Sequence, residues 1–361
     1  MRRPLLTLFC AMAYLGLQAE EKRAFDRMTD HLIVLDRFDQ FHRDDDGQRH
    51  LLTSPWFSAP MAWTELVPSW NAVCPSNTAL KVEVRASDEH DTTPFYNLGQ
   101  WTTDHDPARR TSVREQKNAW GEVKTDTLVL KRPMARAQVR LELRGQTARP
   151  QIKFLSLCFT DTTAARPELP PHRAAWGTVI EVPRRSQLGH PGASGWCSPT
   201  AVSMLLAHWA GALHRPELDL PVPEVARGVY DPAWEGTGNW AFNMAYAGQF
   251  PGLRAWVARL AGLPAIERLV VAGFPVAASV SFDLLNGKPT DEGTGHLIVV
   301  VGFTSSGDIV ANDPWPNPKG ENSVRRVFPR LHFLNAWQRS RQAVYLIHPA
   351  ESTGRILELI R

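Results

Sequence analysis

The sequence predicts an α+β protein of two domains, an all-β sandwich or jelly roll followed by a domain that mixes helices and strands. The chain has 361 residues, which is long for a single hydrophobic core. Short segments of alternating apolar and polar residues fill the region from 51 to about 161, and no segment with helical periodicity interrupts them. From 176 onward, segments typical of helices and of buried strands follow one another.

Strict alternation predicts the strands of the first domain. In Thr78–Ala86, Leu80, Val82 and Val84 face one way and charged residues face the other. The pattern recurs at 127–130, 138–143 and 152–159. In the second domain we expect helices at 222–228, 240–247, 253–260 and 266–272, and strands at 178–183, 275–282, 295–303 and 309–313. Asn239 is the expected N-cap of the helix at 240–247.

The first nineteen residues resemble a signal peptide. Arg2 and Arg3 precede an apolar run from Leu5 to Leu17, and Ala19 lies at a suitable cleavage site. The run is too short for a stable transmembrane helix, so we expect no integral membrane segment in the mature form and a secreted or periplasmic location. The expected division is 1–19 signal peptide, 20–165 β-sandwich domain, 166–175 Pro-rich linker, 176–350 second domain and 351–361 C-terminal tail.

Composition narrows the classes of function. Hydrophobic residues make up 43% of the chain, charged residues 21%, and the formal net charge is +3. There is no basic stripe interleaved with aromatics, so we do not expect nucleic acid as a partner. The sequence has no HExxH motif, phosphate loop or dinucleotide fingerprint, so we expect neither a metal nor an organic cofactor.

Five tryptophans of the first domain allow two interpretations. Exposed aromatic rings on a sandwich rim could stack on sugars and give a glycan or cell-surface contact, whereas buried rings would pack the core and turns. We favour packing. The residues are Trp56, Trp63, Trp70, Trp101 and Trp120.

The cysteines divide by region. Cys10 leaves with the signal peptide, Cys74 and Cys158 fall in the first domain, and Cys197 is alone in the second. A Cys74–Cys158 disulfide is compatible with export, although a sequence does not fix the Cα separation that the bond requires. An unpaired cysteine in an exported protein indicates a reactive thiol, with a buried structural cysteine as the alternative.

The stretch Gly195–Leu206 predicts a turn that leads into an apolar helix, with Ser194 as N-cap and Cys197 in the first turn. The helix dipole and unpaired N–H groups at that position favour thiolate over thiol, which makes a nucleophile near neutral pH. Gln187, ten residues earlier, is placed to supply a side-chain N–H to a developing oxyanion, together with the Cys197 N–H.

His296 opens a continuous apolar strand, and a tight turn returns the chain to Asp313. Because strands joined by a tight turn run antiparallel, we expect Asp313 beside His296, where it would orient the imidazole and stabilise its protonated form. Trp196 and Gly295, next to the two reactive residues, are the expected substrate-binding residues.

The segments Gly195–Thr200, Gly295–Phe303 and Asn312-Asp313-Pro314 resemble papain-like cysteine peptidases of the double-glycine leader peptidase type, and more closely their peptidase family 39-like bacterial branch. The resemblance covers roughly 176–348. It implies that Gln187 is the oxyanion-hole residue, Cys197 the nucleophile, His296 the base and acid, and Asp313 the orienting residue. Ser198 departs from the commoner glycine. The segment 236–240 and the β domain also look like those of exported members.

Three functions follow from this reading. The first is a secreted or periplasmic cysteine peptidase acting on peptides. The second is a cell-wall amidase or amide transferase acting on peptidoglycan peptides. The third is a non-catalytic protein that binds carbohydrate or a partner on a papain-like scaffold, which an intact Cys–His–Asp set disfavours.

Overall fold

The computed structural model describes residues 28–29, 31–45, 49–104, 106, 108–165, 168–316 and 324–361. The predicted signal peptide and Cys10 lie outside these residues. Within the described part of the chain, none of the helices has the length and apolar character needed to cross a lipid bilayer.

The first domain is all-β, and the α+β class is confirmed. Its ten strands belong to one continuous antiparallel sheet with the order β1-β2-β10-β5-β9-β4-β3, while β6 and β8 also pair with β9, and β7 with β6. The segments predicted at 127–130 and 138–143 are parts of one long bent strand. The strands are β1 (Met28–Thr29), β2 (Leu32–Leu35), β3 (His42–Asp45), β4 (His50–Thr53), β5 (Phe57–Val73), β6 (Ala79–Ser87), β7 (Tyr96–Trp101), β8 (Gly121–Lys124), β9 (Thr127–Arg144) and β10 (Gln151–Thr160).

The tryptophans of this domain mainly fill its interior. Trp63, Trp70 and Trp101 have no exposed surface. Trp56 and Trp120 are partly exposed, and arginine side chains lie over their rings. Packing is therefore the correct interpretation for the three buried rings, and arginines occupy the faces of the other two.

The predicted Cys74–Cys158 disulfide is wrong. Cys158 lies on β10 opposite Val67 of β5, whereas Cys74 follows Val73 at the end of that strand. At roughly 3.3 Å per residue the intervening strand holds the two about 20 Å apart, well beyond the ~7 Å between Cα atoms that a disulfide allows. Both cysteines are buried thiols. Because all three described cysteines are unpaired, the reactivity of Cys197 has to be explained by its surroundings.

The second domain is built on a six-stranded antiparallel sheet with the order β11-β16-β12-β13-β14-β15. Its strands are β11 (Leu253–Arg259), β12 (Val276–Ser281), β13 (Gly295–Phe303), β14 (Ile309–Asn312), β15 (Arg325–Phe328) and β16 (Ala343–Pro349). Its helices are α1 (Cys197–Ala212), α2 (Val222–Val229), α3 (Trp240–Gly248), α4 (Leu263–Val271), α5 (Phe282–Leu285), α6 (Arg330–Gln338) and α7 (Thr353–Leu359).

Three expectations for this domain are corrected. The helix predicted at 253–260 is strand β11, which pairs along its whole length with β16 and is buried on both faces, so its apolar run has no strand alternation. The strand predicted at 178–183 makes only isolated bridges to β13. The C-terminal tail forms α7, in which Ile356 and Leu357 are buried, and Arg268 of α4 donates to the carbonyl of Leu359.

Side chains of β5 cover the outer edge of the second sheet. The amide of Asn71 donates to the Ala255 carbonyl at 2.8 Å and accepts from the Ala255 N–H at 3.1 Å, and Ser69 Oγ accepts from Val257 N at 3.0 Å. An exposed edge of β11 would leave these backbone groups unpaired. The first domain thus completes the second, and both pack as one unit.

Candidate active site

Cys197 is the first residue of α1, the helix that packs against the second sheet. The N-cap is Trp196 and not Ser194 as predicted, because a 3-10 turn at Ala193–Gly195 leads directly into the helix. Being first, Cys197 has a backbone N–H with no intrahelical acceptor. The backbone N–H groups of Ser198 and Leu297 hydrogen-bond to its sulfur.

His296 lies one residue into β13 and is 5% exposed. Its Nε2 is 2.7 Å from Oδ1 of Asp313, which leaves Nδ1 as the ring nitrogen for the Cys197 thiol, its other hydrogen-bond partner. The ring of Phe282 meets the imidazole edge-on, with 5.3 Å between the centroids. Both ring nitrogens of His296 therefore have a hydrogen-bond partner, and the Phe282 ring packs against the imidazole.

The contact between His296 and Asp313 follows from the register of the hairpin. Asn312 lies opposite Val299 after a bulge near Gly302, so continuing by one residue places Asp313 across from the position two residues beyond His296, on the same face of the sheet. Asp313 has no exposed side-chain surface.

Asp313 receives two further hydrogen bonds that the sequence did not indicate. Nη1 of Arg326 lies 2.6 Å from its Oδ2, and the Trp315 N–H donates to its Oδ1 at 2.8 Å. Arg326 comes from β15, which pairs with β14, so only the tertiary sheet brings it to the carboxylate. Opposite charge and full hydrogen bonding make this buried carboxylate tolerable.

The electrostatics favour a thiolate–imidazolium pair. Burial alone raises the pKa of the Cys197 thiol, but the hydrogen bond and charge of His296 outweigh it and hold that pKa below its usual value. Burial alone lowers the pKa of His296, but hydrogen bonds and charges of Asp313 and Cys197 raise it to about 9. For Asp313, burial is outweighed first by His296, and its pKa is lowered.

Gln187 lies beside the cysteine but uses its amide locally. Nε2 donates to the carbonyls of Ala193 at 2.7 Å and Ser194 at 3.0 Å, in the turn that precedes Cys197. Its Oε1 is buried and has no hydrogen-bond partner. In this arrangement the amide of Gln187 braces the turn, and its role as an oxyanion donor stays a prediction.

The glycine-rich segment 236–240 supports the same turn from the other side. Thr237 Oγ1 donates to the Gly195 carbonyl at 2.9 Å, and Asn239 caps α3 by accepting from the Phe242 N–H, as predicted. A Cβ on Gly236 would stand 2.7 Å from the ring of Trp234. Glycine is therefore required for this indole to lie on the segment.

A cavity of about 790 Å³ opens at the cysteine and histidine. Gly295 lines it, whereas Trp196 lines a separate apolar cavity of about 450 Å³ on the far side of the turn. Among the described residues, no group of three His, Cys, Asp or Glu side chains is arranged to hold a metal ion. The main lining residues besides Gly295 are Gln187, Cys197, His296, Trp234, Trp240, Phe282, Trp315, Glu65, Arg259, Arg339 and Arg341.

Two family matches cover both domains. Residues 25–160 match the family described as Peptidase C39 N-terminal domain, and residues 179–345 match the Peptidase_C39 like family. None of the curated proteins matches the chain significantly. The fold and the site together define a chain with a peptidase-like second domain. The chain is thus similar to the C39-like peptidases over residues 179–345 and to their N-terminal domain over residues 25–160.

Solved structures resemble parts of the chain. One from Bacillus anthracis, described as a "putative C39-like peptidase", is 19% identical, with 47% of this chain and 96% of that chain covered and a TM-score of 0.35. The Glycosylation Associate Protein (Gap123) complex from Streptococcus agalactiae is 10% identical, with 38% and 45% covered and a TM-score of 0.19. At these TM-scores neither likeness supports an argument about function.

Proposed function

We propose that the protein is an exported cysteine peptidase that hydrolyses peptide or amide bonds, with Cys197 as its nucleophile. The observation that carries the proposal is the chain of hydrogen bonds and charges from Cys197 through His296 to Asp313, at the wall of a cavity large enough for a short peptide. The match of residues 179–345 to the C39-like family supports the same reaction class.

In the proposed reaction the Cys197 thiolate attacks a substrate carbonyl carbon and pushes the carbonyl electrons onto oxygen. The His296 imidazolium then gives its Nδ1 proton to the leaving amine as the C–N bond breaks, which leaves a thioester. Neutral His296 takes a proton from water, whose oxygen attacks the thioester and releases the acid and the thiolate. Asp313 keeps Nε2 hydrogen-bonded throughout, so the ring stays in one orientation.

The oxyanion would be held first by the backbone N–H of Cys197, which faces no helical acceptor. Gln187 can contribute only when one of its N–H groups leaves a carbonyl of the 193–194 turn. A Gln187→Ala change separates the two roles. Loss of an oxyanion donor lowers kcat by about 100- to 1000-fold and leaves the alkylation rate of Cys197 unchanged, whereas loss of a brace for the turn lowers both.

The test of the function is turnover by the mature protein of a peptide library and of purified peptidoglycan. Wild type, Cys197→Ala and His296→Ala are compared, with Cys74→Ala and His332→Ala as matched controls away from the cavity. Cleavage of plain peptides that needs Cys197 and His296 supports the peptidase. Release of fragments from peptidoglycan alone would move the assignment to a cell-wall amidase. No turnover, together with alkylation no faster than that of a model thiol, would contradict an enzyme.

Export is proposed from the basic and apolar first nineteen residues. Expression of the full chain in a bacterial host and fractionation of the cells would test it. We expect mature protein that begins near Glu20 outside the cytoplasm, and full-length protein retained in the cytoplasm would contradict export.

A further inference from the structure

Three arginines line the cavity that contains Cys197. Arg259 ends β11, and Arg339 and Arg341 follow α6. Among the described residues of the same lining, Glu65 from β5 of the first domain is the one acidic residue, so these four side chains carry a net charge of +2. The reactive cysteine and histidine form a neutral pair and do not change this sum.

Two of the arginines share Glu65. Arg259 Nη1 lies 2.7 Å from its Oε2, and Arg341 Nε lies 3.7 Å from its Oε1. One carboxylate balances one guanidinium, so the pair retains a positive charge. Asp126 also interacts with Arg259, but it does not line the cavity, and its carboxylate accepts hydrogen bonds from Thr127 and from the backbone N–H of Trp240.

Arg259 and Arg341 differ in their exposure and in the hydrogen bonds that they already make. Arg259 is 5% exposed and already donates to Glu65 and to Thr160, both in the first domain. The side chain of Arg341 is 41% exposed and makes one long hydrogen bond, 3.3 Å to the carbonyl of Thr162. Arg341 therefore has donors that face the open cavity, while Arg259 fixes the carboxylate that positions it.

The backbone that presents Arg341 is strained. Arg341 and the next residue, Gln342, have φ values of 55° and 63°, a left-handed region that residues with a Cβ seldom occupy. Backbone strain of this kind concentrates at functional sites. The strain here turns the chain sharply between α6 and β16 and leaves the guanidinium at the cavity.

Arg339 brings the positive charge close to the reactive residues. Its guanidinium carbon is 4.0 Å from where a Cβ on Gly295 would be, and Gly295 precedes His296. Nη2 donates to the Gly293 carbonyl at 2.6 Å, Nη1 forms an ion pair of 3.6 Å with Asp291, and the Arg339 side chain is 30% exposed. The cationic surface thus extends from the domain junction to the edge of the reactive pair.

We propose that Arg339 and Arg341 form a subsite for a substrate carboxylate, so that the enzyme prefers amides with an acidic residue or a free carboxylate close to the scissile bond. The guanidinium fork pairs with carboxylates in a bidentate manner, and a partly enclosed cavity strengthens the pairing. The inference rests on the proposed function, since it names the substrate class of the same site. It also gives the first domain a role, because Glu65 positions Arg341.

The test uses pairs of peptides that differ only by Glu or Gln at each of two positions on either side of the cleaved bond. With wild type we expect kcat/KM to favour Glu by about ten-fold or more at one position. Arg341→Ala and Arg339→Ala should each reduce this preference, and Arg341→Glu should reverse it toward Gln. Arg355→Ala, on the exposed face of α7, is the matched control and should keep it.

A binding arm separates failure of the inference from failure of the function. Cys197→Ala is titrated with the same fluorescently labelled peptide pairs, read by anisotropy at about 50 and 500 mM salt. Tighter binding of the Glu peptide, weakened by salt and lost in Cys197→Ala/Arg341→Ala, supports the subsite even if no peptide is cleaved. Equal turnover and equal binding of Glu and Gln peptides overturn the subsite and leave the peptidase assignment intact.

Discussion

The backbone N–H of Trp240, at the start of α3, donates to the carboxylate of Asp126 in the first domain. Asp126 lies in the turn between β8 and β9 and is 7% exposed. Trp240 lines the cavity of Cys197. A carboxylate of the β domain thus caps a helix of the second domain and fixes one wall of the candidate site.

Asp126 should make stability depend on pH. Burial raises its pKa to about 6 from an ordinary value of 3.8, so between these values the folded state holds a proton that the unfolded state has lost. Stability from this residue is therefore full below pH ~4 and falls as pH rises to ~6, by about 3 kcal/mol in total. Urea unfolding of wild type and Asp126→Asn at pH 4 and pH 7 measures it.

The quantity to compare is the difference in free energy of unfolding between the two proteins at each pH. Contributions of the other titrating groups are common to both proteins and cancel in this difference. The free energy of unfolding of Asp126→Asn, relative to that of wild type, should increase as the pH rises from 4 to 7. Asp44→Asn, at an exposed position of β3 in the same domain, is the control and should stay parallel to wild type. A constant difference between wild type and Asp126→Asn at both pH values would contradict the raised pKa.

Asn71 should couple the unfolding of the two domains. It is fully buried and satisfies both the N–H and the C=O of Ala255 on the edge of the second sheet. Asn71→Ala leaves both groups buried without a partner, at about 1–3 kcal/mol each. We expect the single urea transition to move to lower denaturant by an amount that corresponds to about 2–5 kcal/mol.

The matched control for Asn71 is Asn335→Ala, on an exposed position of α6, which should change stability by less than about 0.5 kcal/mol. Tryptophan fluorescence and circular dichroism should give the same transition, since tryptophans lie in both domains. Two separate transitions, of which only one moves in Asn71→Ala, would contradict the coupling.

Local sequence was enough to predict the contacts that depend on short stretches of chain. Asn239 caps α3 because capping is decided within three residues. His296 reaches Asp313 because one hairpin fixes their register. The apolar face of α1 was enough to predict Cys197 in the first turn of that helix, although the N-cap is Trp196 and not Ser194. These contacts have small sequence separation or a turn whose geometry is known in advance.

The remaining features depend on tertiary packing that no local pattern encodes. Strand β11 is buried on both faces, so apolar and polar residues do not alternate along it, and its sequence resembled that of a helix. Arg326 reaches Asp313 only through the pairing of β14 and β15, and Asp126 reaches Trp240 only through the domain junction. Cys74 and Cys158 both lie on or next to strands, but the register of β5 and β10 keeps them apart.

The three described cysteines should all be thiols. Alkylation of the denatured protein without reductant, followed by peptide mass analysis, should modify Cys74, Cys158 and Cys197. In the native protein only Cys197 should react near neutral pH, because Cys74 and Cys158 are buried, and burial raises the pKa of Cys74 to about 12. A disulfide-linked peptide that contains Cys74 and Cys158 would contradict the structure.

Asp313 should control the reactivity of the Cys197 thiolate. In Asp313→Asn the imidazolium of His296 loses its nearest negative charge, so the pKa of His296 falls from about 9 and that of Cys197 rises. At a pH well below the pKa of Cys197, a rise of one unit in that pKa reduces the thiolate about ten-fold. We therefore expect the acid limb of the iodoacetamide profile to move to higher pH, with Cys197→Ala as background. Asp308→Asn, at the far end of the same hairpin, should keep the wild-type profile. If Asp313→Asn also keeps it, the charge of Asp313 does not stabilise the ion pair.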